Sequence, residues 1–428
     1  MQLSWPVFLI FIASSPAADM QPAIDAQHEF AAVCERGGVD LWHKSLCGPL
    51  ILVDRASRTS VANQPDPDQA FRKEGDLWIG HFPDRFVPSN TSIEWNGQHW
   101  ATVMLPLPTD RFMRIRLLAH ESFHRIQHDL GLSAPDTPNA HLDTEDGRVW
   151  LRMELRALAR ALRSDDAAAR QYAADAMLFR LNRHRLFPGS AEMEANMEKQ
   201  EGLAEYTGTF VAIRVTSETT AAAAPSVEFF EKSDAFARSF AYGTGPALGL
   251  LLDRYAPDWR DRAASESLDA LLIAALEVKP APDLEQAAEA RAAAYDYAAV
   301  NAAEAEREQR HQALLAKLKK KFLEGPTLQF PQSQNLMRNF NPQELVPFPP
   351  HGTYYPTGTF TAEWGKLDIS SGSGALLAPD NMSLLVAVPD DVNARPVRGD
   401  GWTLDLAPGW TIRPAQRAGT FTIAPAPK

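Results

Sequence analysis

The chain has 428 residues, of which 45% are hydrophobic and 22% charged. That balance excludes general disorder and allows two or three packed domains. A formal net charge of −12 excludes nucleic acid as the main partner, because a phosphate backbone requires a basic surface.

Residues 1–18 read as a secretory signal: an apolar run from Met1 to Ala13, then the small residues Ser14, Ser15, Pro16, Ala17 and Ala18. No Lys or Arg precedes the run, which is unusual for such a signal. The run is too short to span a bilayer, and no later segment approaches that length, so no stable membrane insertion is expected. The expected location is periplasmic or secreted. Cys34 and Cys47 follow closely. In an oxidising compartment they read as one disulfide, with two buried thiols as the alternative; their spacing does not suit a metal pair.

Residues 19–108 read mainly as strands and turns. Leu50 to Asp54 has strand character. Thr91 to Trp95 and Gln98 to Leu105 flank Asn96-Gly97, a dipeptide suited to the positive φ of a tight hairpin turn. Residues 109–325 read as helical. The expected helices are Arg111 to Leu130, Arg148 to Arg163, Ala167 to Leu186, Ala191 to Val215, Phe236 to Tyr255 and Leu268 to Val278, with Ala287 to Phe322 as one long helix. Thr219 to Pro225 reads as a linker or lid loop. The basic run Lys317 to Lys321 suits a solvated helix end, where cations oppose the helix dipole. Residues 326–428 turn rich in Pro, Gly and strand-like segments such as Thr359 to Trp364 and Ser383 to Val388, and read as a small all-β domain.

The segment carrying chemistry is His120-Glu121-Ser122-Phe123-His124, inside a stretch with helical apolar spacing and no breaker. On a helix His120 and His124 lie one turn apart on one face, so both imidazoles reach one Zn2+ ion. Glu121 is rotated about 100° from His120, toward the open side of such a metal, where it serves as general base. The bland alternative is a helix with two surface histidines, and a third ligand decides between them. The extended motif with a Gly and a third His is absent, because Gln127 stands where that Gly belongs. His128, one further turn along, suits a packing or supporting role better than ligation.

Downstream stands Glu201-Gly202-Leu203-Ala204-Glu205-Tyr206. It resembles the third-ligand helix of gluzincins, the thermolysin- and aminopeptidase-like metallopeptidases. The resemblance covers about a quarter of the chain, and two helices stand between the motifs where the thermolysin-like enzymes have a short spacer. It implies Glu201 as the third zinc ligand and Glu205 as the carboxylate holding a ligand histidine through its free ring N–H. It also implies a sheet edge that holds extended substrate, here Val103 to Leu105 or the partner strand of the hairpin; a purely structural hairpin is the alternative.

Spacing alone does not single out Glu201. Glu194, Glu198, Glu201 and Glu205 fall on one helical stripe, either relieved by a nearby divalent cation or simply solvated. Gly202, by allowing close approach to the first motif helix, favours Glu201 over Glu198. Tyr242 is the first candidate for the oxyanion donor, followed by Arg238 and Tyr206. Asp143 and Asp146 read as caps of the following helix.

These readings converge on an α+β chain: a mainly helical zincin-like domain, an upstream β hairpin or sheet, and a C-terminal β domain. The expected function is an exported zinc metallopeptidase acting on a peptide or protein substrate. A zinc amidase on cell-wall peptide and a non-catalytic scaffold with a structural zinc are the alternatives.

Overall fold

The computed structural model describes residues 20–35, 41–279, 282–341, 344–370 and 374–427. The expected signal at residues 1–18 lies outside them. Two compact units divide the chain, Met1–Ala302 and Ala303–Lys428. Among the described residues, no helix is long and apolar enough to cross a membrane.

The first unit opens with α1 (Gln21–Glu35), in a region read from sequence as strands and turns. Ala23, Ala26, Gln27, Phe30 and Val33 form its buried stripe, a helical spacing that the short segment did carry. Gln27 Nε2 donates to Leu50 O and Val61 O, each at 3.0 Å, which docks the helix on the sheet. Cys34 and Cys47 form a disulfide. Arg125 donates to Ser45 O and Leu46 O at 3.0 and 3.1 Å, fixing that part of the bridged loop to the helix Arg111–Gln127.

Six strands follow: β1 (Leu50–Asp54), β2 (Thr59–Ala62), β3 (Arg72–Glu74), β4 (Leu77–His81), β5 (Thr91–Trp95) and β6 (Gln98–Leu105). Their order is β3-β4-β2-β1-β6-β5, so β5 is the outer strand beside β6. β1 and β6 run parallel, whereas β5 and β6 form the expected hairpin, with Asn96 and Gly97 at φ 49° and 78°. Alternation gives the sheet two buried faces. Leu50, Leu52, Val61, Ala101 and Val103 join the helical core, while Ile51, Val53, Ala62, Trp95 and Trp100 pack with Phe71 and Phe82 on the other side.

The helices are α2 (Arg111–Gln127), α3 (Glu145–Arg163), α4 (Asp166–Leu186), α5 (Ser190–Met197), α6 (Leu203–Thr216), α7 (Ala224–Glu231), α8 (Ala241–Tyr255), α9 (Leu268–Leu276), α10 (Leu284–Ala292) and α11 (Tyr297–Leu318). Asp110 caps α2 by accepting from Met113 N at 2.9 Å. Between α5 and α6, residues Glu198–Gly202 form a π-helical turn. The segment expected to be a linker, Thr219 to Pro225, is instead a short 3-10 turn leading into α7. Pro225 lies in the first turn of α7, where its missing N–H costs nothing. Thr144, not Asp143 or Asp146, caps α3; Asp143 Oδ1 accepts from Phe236 N at 2.6 Å.

The expected single helix from Ala287 is broken at Ala293–Asp296, where Asp296 takes φ 62°. Tertiary bonds override a good helical sequence here. Tyr295 is buried with its hydroxyl 2.7 Å from Asp175 Oδ2, and Arg156 donates to Tyr295 O at 3.0 Å.

The second unit contains a seven-stranded and a five-stranded sheet. Leu328, Val386 and Tyr355 from the first share one core with Phe360, Leu367 and Leu404 from the second. The expected strands are present as Gly358–Ala362 and Leu384–Ala387.

Candidate metal centre

Helix α2 buries Ile115, Leu118, Ala119, Phe123 and Ile126 in the core. The same rotation carries His120, Glu121 and His124 toward α6. Gly208 of α6 makes the approach possible, because a Cβ there would lie 2.4 Å from Arg116 O. The resulting site brings together His120, His124 and Glu201, whose ligand atoms lie within 4.8 Å of one another and can hold a metal ion.

The spacing is close to what a small divalent cation requires. His120 Nε2 and His124 Nε2 are 3.1 Å apart. Glu201 Oε2 is 3.8 Å from the first and 3.6 Å from the second. A tetrahedral zinc with bonds of about 2.0–2.1 Å separates its donor atoms by about 3.3 Å.

The protons argue in the same direction. Glu205 Oε2 lies 2.6 Å from His120 Nδ1, so that nitrogen carries the hydrogen. Gln127 Nε2 donates to Lys199 O and Gln200 O, both at 2.9 Å, which turns its Oε1 toward His124 Nδ1 at 2.8 Å. His124 Nδ1 is therefore a donor as well. Both Nε2 atoms are left with lone pairs that face each other, an arrangement a cation between them resolves.

Each supporting residue is itself held. Glu205 Oε1 pairs with Arg116, which also donates to Ser226 Oγ at 2.9 Å. Burial raises the Glu205 carboxyl, but Arg116 and His120 outweigh it and hold the group below the ordinary range. Gln127 satisfies carbonyls of the π-turn that carries Glu201, a kind of helix defect often found at functional sites. Neither Arg116 nor Gln127 was singled out from sequence as part of the site. Their signals were spacing: one lies a turn before His120, the other three positions beyond His124.

The acidic stripe expected along this helix divides in two. Glu194 and Glu198 are fully buried. Arg183 takes Glu194 at 2.6 and 2.9 Å, and Arg180 takes Glu198 at 2.6 and 2.8 Å. Arginine, not a metal, relieves those two charges. With Glu205 paired to Arg116, Glu201 is the one member of the stripe with no arginine or lysine partner among the described residues. Gly202 does not face α2 as expected. It meets Gly245 of α8, where a Cβ on Gly202 would lie 3.1 Å from Gly245 Cα.

Tyr242, at the start of α8, donates to Glu201 Oε2 at 2.7 Å. Its ring stacks on His120 at 5.9 Å and 5° and on Phe230 at 6.0 Å and 26°. Burial, then the Glu201 charge, raises the phenol above its ordinary value, so it remains a donor. Burial also raises Glu201, but in metal-free protein a protonated His124 and the hydroxyl of Tyr242 together prevail and bring it down to about 2. Glu121 is 4% exposed, and its Oε2 is buried without a hydrogen-bond partner among the described residues. Burial, against the pull of both histidines, raises its carboxyl above the ordinary range.

The other candidates fall elsewhere. Tyr206 is buried, with its hydroxyl 2.9 and 3.0 Å from Asp253. The Arg238 side chain is 85% exposed and faces Asp136. His128, expected to pack or support, has a side chain 81% exposed and borders the cleft mouth. That cleft encloses about 450 Å³ and is bordered by His120, Glu121, His124, Glu201 and Tyr242, with Asn90, Thr91 and Ser92 from the outer edge of the sheet.

Comparison of the chain with protein-family models, with curated proteins and with solved structures finds no match.

Proposed function

We propose that this chain is an exported zinc-dependent metallopeptidase of gluzincin type. The reading is carried by one observation: two histidine Nε2 lone pairs and an arginine-free carboxylate converge, while both Nδ1 protons are committed elsewhere.

His120, His124 and Glu201 hold the ion. Zinc bound there supplies Lewis acidity, polarising a substrate carbonyl and making water a stronger acid. Glu121 Oε2 accepts the proton that water loses as its oxygen attacks the carbonyl carbon. The same carboxyl then delivers that proton to the departing amine nitrogen, so the peptide C–N bond breaks with protons balanced. The raised Glu121 suits both halves of this exchange. Tyr242, kept protonated, turns its one hydrogen from Glu201 Oε2 to the substrate and donates to the negative charge developing on the carbonyl oxygen. The outer strand β5 offers backbone groups to an extended peptide.

A purely structural zinc gives no reason to bury a carboxylate oxygen beside the ligands without a partner, as Glu121 Oε2 is among the described residues. Glu121→Gln is the test. It is expected to keep its zinc and to lose peptide hydrolysis by about 10²–10⁴-fold. A zinc-loaded Gln variant that hydrolyses peptide at the wild-type rate would sink the proposal.

A further inference from the structure

The lining of the cleft carries information about what it accepts. Consecutive strand residues point to opposite faces. Thr91 and Ser92 of β5 nevertheless both border the cleft, so the free edge of the strand faces it. Ser92 Oγ is buried and has no hydrogen-bond partner among the described residues. Asn90 commits its carbonyl to Met104 N at 2.8 Å, which leaves its NH2 to donate. Across the cleft, Gln200 Oε1 accepts from Ala134 N at 3.4 Å, again leaving an NH2, and Ser133 adds a second hydroxyl. Leu117 is the one aliphatic side chain among the described lining residues.

Ligand pockets are usually lined mainly by apolar side chains, and this one is not. An apolar side chain seated here would strip water from hydroxyl and amide groups and return no hydrogen bonds. An acidic side chain would meet Glu121, Glu201 and Glu205. A basic one would find Glu205 engaged by Arg116 and His120, and Glu201 by Tyr242, and would pair only with Glu121, the group that must stay open to accept the proton of the attacking water.

Resting on the peptidase reading, we propose that the cleft selects peptides whose residues flanking the scissile bond carry uncharged hydrogen-bonding side chains: Ser, Thr, Asn or Gln. Ser133 Oγ and the amide NH2 groups of Asn90 and Gln200 read those side chains, and Ser92 Oγ joins them by rotating about its Cα–Cβ bond from its buried position into the cleft. A site built to hydrogen-bond its substrate rejects an analogue that lacks the group far more strongly than an apolar pocket rejects a missing methylene.

The test uses the full-length, zinc-loaded chain and two matched peptides that differ only at the flanking residues, Ser-Gln in one and Leu-Phe in the other. The Ser-Gln peptide is expected to show kcat/KM higher by about tenfold or more. Ser92→Val and Ser133→Ala are each expected to move that ratio toward one. Equal or reversed preference overturns the selectivity and leaves the peptidase reading intact. A ratio unchanged in both variants also overturns it. If the zinc-loaded chain cleaves neither these peptides nor any member of a mixed peptide library, the peptidase reading falls and the selectivity with it.

Discussion

Arg116 shows how far the candidate centre extends beyond its ligands. It pairs with Glu205, which accepts from His120 Nδ1 and so fixes the ring that presents Nε2. Partners of this kind are typically worth about 10–100-fold in metal affinity. Arg116→Met is therefore expected to weaken zinc binding by about that factor in competition with a chromophoric chelator, with Arg116→Lys intermediate. Thermal unfolding checks that both variants are folded; unchanged affinity in the folded Met variant would contradict the arrangement. Tyr242→Phe separates two roles. If the hydroxyl acts on the reacting carbonyl, kcat falls by about 10²-fold or more while zinc content and KM change little. A variant that loses zinc and keeps turnover when reloaded would make Tyr242 a support for Glu201 only.

At the scale of elements, the site depends on close helix approaches. Gly245 of α8 lies against the π-turn, and a Cβ there would sit 2.3 Å from Gly202 Cα and 2.5 Å from Gly202 O. Gly245→Ala is expected to cost about 1–3 kcal/mol, because backbone rather than a flexible side chain must move. A melting temperature equal to wild type would show that α8 shifts freely. The ligand helix, the Asn96-Gly97 hairpin and the C-terminal strands were legible in sequence, since each is written in local periodicity or turn chemistry. What was not legible depends on distant partners. The break at Ala293–Asp296 follows from Tyr295 reaching Asp175. The division of the acidic stripe follows from Arg180 and Arg183 on α4, and nothing in the local spacing of Glu194 and Glu198 announces them. Gly202 announced a close approach, but its partner, Gly245, is visible only once the helices are assembled.

For the molecule as a whole, the Cys34–Cys47 disulfide, spanning a sequence separation of 13, ties α1 to the loop that Arg125 holds against α2. A bridge of this loop length contributes about 3 kcal/mol by restricting the unfolded chain. The Cys34→Ser, Cys47→Ser double variant is expected to unfold at lower urea, and wild type is expected to shift likewise under reductant. Acid acts on the buried carboxylates. Glu194 and Glu205 lie below the ordinary carboxylate range and Glu201 at about 2. Groups depressed in the folded state contribute stability that is complete above their unfolded values and lost as pH falls. Metal-free protein is therefore expected to lose stability progressively from about pH 4.5 toward pH 2, read as falling melting temperature; a flat profile across that window would contradict the pairing of these carboxylates.

If His120, His124 and Glu201 form one zinc site, removing the carboxylate must empty it. Metal analysis of purified wild type beside Glu201→Ala, both loaded with zinc and then dialysed, is the decisive comparison. One zinc per wild-type chain is expected, and little retained by the variant. Equal zinc in the two proteins, or none in wild type, would contradict it.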